Sequence, residues 1–103
     1  MSIVHLENEN FNDVVSNDVV LVDFFATWCG PCKMLGPVLE EFDQDRSDVK
    51  IVKVDIDEKT DLAREYGVMS VPTLILFKDG KPVATRTGYM PKEVLTAWIN
   101  ETK

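Results

Sequence analysis

Residues 19–26 read Val-Val-Leu-Val-Asp-Phe-Phe-Ala, apolar at every position except Asp23. A half-buried strand would show a polar residue at every second position, and this run does not. With β-branched residues at its start, it reads as a central strand covered on both faces. Such a strand needs cover on both faces, and the alternation of strands and helices along the chain supplies it, an α/β arrangement. The 103 residues suit a single domain, 1–103. At that length roughly two-thirds of the unfolded surface is buried, enough for one core without disulfide staples.

The rest of the chain supplies the layers. Ile3 to Leu6 is a short strand. Asn8 or Asn10 can cap a helix carrying Phe11, Val14 and Val15. Cys32 to Arg46 has Met34, Leu35, Val38, Leu39 and Phe42 on one face and Glu40, Glu41 and Asp43 outside it. Pro37 lies inside that helix and predicts a kink. Val49 to Ile56 is a second core strand, and Asp61 to Tyr66 is a short helix stopped by Gly67. Val71 to Lys78 is a third strong strand, Asp79-Gly80 a hairpin signal, and Lys81 to Thr87 the antiparallel return. After Gly88, Pro91 suits the first turn of a final helix with Val94, Leu95, Trp98 and Ile99 on one face. The order β-α-β-α-β-α-β-β-α predicts a mixed five-stranded sheet with four helices distributed over both faces.

Charge narrows the partners. Eleven basic against eighteen acidic residues give a net charge of −7, which repels nucleic acid and anionic membrane. Met1 to Asn10 has neither a basic start nor a long apolar stretch. Neither a signal peptide nor a membrane span is therefore expected, and the expected compartment is the cytoplasm. An ordinary structural disulfide would not persist there. The spacing of the two cysteines thus becomes informative.

They form Cys29-Gly30-Pro31-Cys32, at the junction of the central strand and the following helix. Only about 100 of some 5,000 random placements of two cysteines would give this spacing. Residues three apart on a helix lie about 5–6 Å apart, the span that a disulfide requires. Cys29 falls at the helix N-terminus, where free backbone N–H groups and the dipole stabilise a thiolate. It is expected to be the exposed, attacking thiol, and Cys32 the shielded, resolving one. A zinc site would need two further ligands, and the single histidine, His5, lies far away in the first strand. No metal is expected.

Asp23 is the second anomaly, because an unpaired carboxylate in a covered strand is expensive. Desolvation should raise its pKa, and it lies on the strand that leads to Cys29, which makes it a candidate proton acceptor for Cys32. Lys53 interrupts the neighbouring run Ile51-Val52-Lys53-Val54 and is a candidate to tune Asp23.

These residues in this order resemble the thioredoxin family nearly end to end. The resemblance runs from Val22-Asp23-Phe24-Phe25-Ala26 through Trp28-Cys29-Gly30-Pro31-Cys32-Lys33, Pro37 and Val54-Asp55. It continues through Ser70-Val71-Pro72-Thr73-Leu74, Phe77-Lys78-Asp79-Gly80 and Thr87-Gly88. Phe25 stands where many members have a second tryptophan, and Tyr89 follows Gly88 where smaller residues are frequent. The resemblance implies the thioredoxin fold, a cis bond before Pro72 and an apolar rim made by Trp28, Gly30, Pro31, Val71, Pro72 and Gly88. Within that rim, the Val71 backbone pairs with a bound client chain like an added strand.

The implied activity is general protein-disulfide reduction by a redox-active Cys29–Cys32 pair, maintaining cytosolic redox balance in a monomer with no bound cofactor. Electrons would come from NADPH through a flavoprotein thioredoxin reductase, and the other partners would be disulfide-containing client proteins. Three alternatives stand beside this reading. An oxidase or isomerase usually carries histidine between the cysteines, where this chain has Gly30-Pro31. A non-catalytic binding subunit would function without Cys29. A cluster-binding dimer would share cysteine pairs between copies.

Overall fold

The computed structural model describes residues 3–16 and 18–102; Met1, Ser2, Asn17 and Lys103, which the one-domain span 1–103 includes, lie outside the described residues. The elements are β1 (Ile3–His5), α1 (Phe11–Val14), β2 (Val19–Phe25), α2 (Gly30–Asp45), β3 (Val49–Asp55), α3 (Thr60–Glu65), β4 (Thr73–Lys78), β5 (Lys81–Thr87) and α4 (Lys92–Thr102). The sheet order is β1-β3-β2-β4-β5. β1, β3 and β2 are parallel, and β4 and β5 add antiparallel.

This order explains the two helical layers. The chain steps from β1 over the β3 position to β2, then turns back to β3. Crossovers of one hand therefore place α1 and α2 on opposite faces. On one face Leu21, Val49, Ile51, Leu74 and Leu76 pack against Leu35, Leu39 and Phe42 of α2 and Leu95, Trp98 and Ile99 of α4. On the other, Val20, Val22, Phe24, Val52, Ile75 and Phe77 pack against Phe11, Val15 and Ala63. Phe11, Tyr66 and Phe77 meet edge-to-face or tilted, with centroids 5.5–5.6 Å apart. Each large side chain fully buried in these layers contributes about 1.5–3 kcal/mol.

Several boundaries move from their sequence-based positions for local reasons. Helix α2 begins at Gly30 rather than Cys32, because the Cys29 sulfur caps it by accepting the Cys32 N–H. The helix continues through Pro37, which withholds the N–H that would bond to the Lys33 carbonyl. Strand β4 begins at Thr73 rather than Val71. Thr73 Oγ1 donates to the Ser70 carbonyl (2.6 Å) and closes a bend over residues 70–72. Asn10 caps α1 by accepting the Asp13 N–H (3.1 Å). Asp79 (φ 53°) and Gly80 (φ 85°) both lie in the left-handed region, as the expected tight hairpin requires.

Candidate active site

The site lies where β2 ends and α2 begins. Cys29 and Cys32 are joined by a disulfide with their Cα atoms 5.3 Å apart. Gly30 and Pro31 fill the first turn, and the missing N–H of Pro31 would have had no helical partner there. Fractional exposure does not separate the two cysteines: each is 5% exposed, so the expected contrast of an exposed Cys29 and a shielded Cys32 is absent in the disulfide form. Their surroundings differ instead. The Cys29 sulfur receives the Cys32 N–H at 3.1 Å and lies 3.7 Å from the Val71 carbonyl oxygen. An N–H aimed at sulfur favours its anion once the disulfide opens.

Three loops close around this pair. The Val71–Pro72 bond is cis. Gly88, at φ +90°, donates its N–H to the Pro72 carbonyl (2.8 Å), tying the segment after β5 to the one before β4. A Cβ at Gly30 or Gly88 would meet nothing within 4 Å, so no neighbour presses on either glycine. Trp28 is 67% exposed. Its Nε1–H donates to Asp57 Oδ2 (2.9 Å), and the Asp57 N–H in turn donates to Asp55 Oδ1 (2.8 Å). Asp57 is a site residue that the sequence reading missed. No local pattern marks it: β3 runs parallel to β2 and ends beside it, with the Ile56 N–H bonded to the Phe25 carbonyl (2.9 Å), and that juxtaposition brings Asp57 to Trp28.

Asp23 is fully buried, and neither of its carboxylate oxygens has a hydrogen-bond partner among the described residues. Strand alternation with Leu21 places it on the α2 face of the sheet. Burial pushes its pKa up from 3.8 to about 6, opposed by the positive charge of Lys53. Lys53 is the register partner of Asp23 on β3, but its Nζ lies over the Phe25 ring, 4.7 Å from the centroid. It also lines a polar groove with His5, Phe25 and Asp55. Lys53 therefore makes no hydrogen bond to Asp23, and only its charge opposes the upward shift. His5 pairs in register with Lys53 and is exposed. Among the described residues no three His, Cys, Asp or Glu side chains are grouped to hold a metal, and no helix is long and apolar enough to cross a membrane.

Comparison with known proteins agrees with this geometry. The thioredoxin family model matches residues 2–101. Thioredoxin of Bacillus subtilis (strain 168) is 52% identical over 102 residues, covering 98% of each chain. Thioredoxin of Staphylococcus aureus (strain Mu50) matches at 52% with the same coverage. Among solved structures, a mutant thioredoxin from Halobacterium salinarum superposes with a TM-score of 0.88 at 42% identity, covering 97% of this chain and 89% of that one. Oxidised mitochondrial thioredoxin 3 from Saccharomyces cerevisiae gives 0.86 at 39% identity, covering 96% and 95%.

Proposed function

The chain belongs to the thioredoxin family, with a Cys29–Cys32 pair that performs dithiol–disulfide exchange, and from this premise we propose how its residues divide the reaction. The Cys29 thiolate attacks one sulfur of a client cystine. A mixed disulfide forms, and the other client sulfur leaves as a thiolate. Cys32 then gives its proton, directly or through a water, to the Asp23 carboxylate and attacks the Cys29 sulfur. The Cys29–Cys32 bond forms, the mixed disulfide breaks, and the second client sulfur leaves. Two electrons pass from the dithiol to the client.

The observation that carries this division is the N-cap geometry. The Cys29 sulfur receives a backbone N–H, and Cys32, inside the helix, supplies it. A pKa of about 6 leaves Asp23 mostly ionised at neutral pH, the form that can take a proton. Lys53 tunes that group through its charge. The Val71 backbone, beside the Cys29 sulfur, pairs with the client chain, and Trp28, Gly30, Pro31, Pro72 and Gly88 complete the rim. The oxidised pair is recharged by a flavoprotein thioredoxin reductase drawing on NADPH. The setting is a cytoplasmic monomer in a single domain, serving redox balance.

The test is capture of the intermediate. In Cys32→Ser the resolving thiol is gone, so a disulfide-bearing client should accumulate as a covalent adduct on Cys29, seen on a non-reducing gel and by mass. Cys29→Ser should form no adduct. In the reduced wild type, an alkylating agent at neutral pH should modify Cys29 first. Preferential modification of Cys32 would reverse the two roles.

A further inference from the structure

Three chain segments surround the disulfide: residues 27–31, 69–72 and 87–90. None of their thirteen residues is charged, in a chain where 28% of residues are. Each segment instead exposes one large apolar side chain, Trp28 at 67%, Met69 at 96% and Tyr89 at 41%. Their placement is fixed by bonds already described. Val71, two residues after Met69, holds its carbonyl 3.7 Å from the Cys29 sulfur. Gly88, immediately before Tyr89, is bonded to the Pro72 carbonyl. Met69 also borders an apolar groove with Ile56, Ala63 and Val68, and Ile56 packs against the disulfide cluster. Arg64, on the same groove, faces Asp61 at 3.9 Å.

Depletion of charge together with exposed Trp, Tyr and Met is the composition of the centre of a protein interface. Trp28 is held by Asp57, whereas Met69 stands 96% exposed beside that groove. Met69 offers an unbranched, adaptable thioether, and Tyr89 a stiff ring that loses little freedom on binding.

We propose that Met69 and Tyr89 are specificity-determining residues, which receive apolar side chains flanking the cystine in an extended client segment and select against acidic flanks. This rests on the reading that a client disulfide is opened at Cys29, because the occupant must bring its sulfur to that atom. An acidic flank would lose water against an uncharged lip on a chain of net charge −7. An apolar flank would cover surface that otherwise faces water.

Two cystine peptides test the proposal, identical except that leucine or aspartate flanks each half-cystine. Each rate is divided by the rate at which dithiothreitol reduces the same peptide, which removes intrinsic reactivity. The wild type should favour the leucine peptide by about tenfold in kcat/KM, and Met69→Gln and Tyr89→Ser should each lower that preference about threefold, through KM. The double variant should approach parity. Both side chains lie at the surface, so the fold tolerates the changes. Val83→Ser removes an exposed apolar side chain from β5, outside the three segments, and should leave the preference at the wild-type value. Equal rates for the two peptides in the wild type, or a preference that survives in the double variant, would refute the selection while leaving the reductase reading intact. Failure of the wild type to reduce either peptide, when dithiothreitol reduces both, would refute the reductase reading and the proposal with it.

Discussion

Replacing Asp23 by asparagine removes a buried charge with little change of shape, and the structure sets the size and sign of the result. Burial raises the carboxyl from 3.8 to about 6, so the folded state holds this proton more tightly than the unfolded state. The stability associated with the neutral acid is fully present below about pH 3.8. It is lost as pH rises towards about 6, and the curve is level above that. A difference of about two pKa units corresponds to about 3 kcal/mol, most of which falls between pH 4 and pH 8. Asparagine has no such dependence. Its buried amide carries a cost of its own, but that cost is the same at both pH values and cancels in the comparison. The assay is guanidinium unfolding of both oxidised proteins at pH 4 and pH 8. With a slope of about 3 kcal/mol per M, the midpoint difference between variant and wild type should change by about 1 M in favour of the variant at pH 8. An unchanged difference at the two pH values would mean that Asp23 is not desolvated in the folded protein. Its role as proton acceptor would then lose its physical basis.

Three further outcomes follow from the same contacts. Lys53→Met removes the positive charge that opposes burial. The Asp23 pKa should rise further, which a carboxyl NMR titration would show, and Cys32-dependent resolution of the mixed disulfide should slow at pH 7. Asp57→Ala frees the Trp28 indole. The tryptophan emission should shift, and reduction of a protein disulfide should slow by about two- to threefold, comparable to the loss of one exposed hydrogen bond. Asn10→Ala removes the side-chain cap of α1 and should lower stability by about 1 kcal/mol in a denaturant melt, with turnover unaffected.

The layers and the redox pair are determined locally, and for that reason the sequence alone determines them. The unbroken apolar run around Asp23 demands cover on both faces. The left-handed pair Asp79-Gly80 forces a tight return, and Cys29 and Cys32 are neighbours on the helix whatever the rest of the chain does. Asp23 itself is marked in the sequence, because a carboxylate in such a run has no cheap explanation.

What the sequence does not contain is the meeting of segments far apart along the chain. The start of β4 depends on the bend over residues 70–72, which brings the Val71 carbonyl to the Cys29 sulfur. The Trp28–Asp57 bond depends on β2 and β3 ending side by side. The end of Lys53 lies over the Phe25 ring, and no hydrogen bond joins it to its register partner Asp23. The equal burial of the two cysteines, each 5% exposed in the disulfide form, is likewise a property of the folded chain. Periodicity and spacing report which face a residue takes, because that is fixed within one element. Which atoms come within bonding distance across elements is set by strand order and loop closure, and only the folded chain decides that.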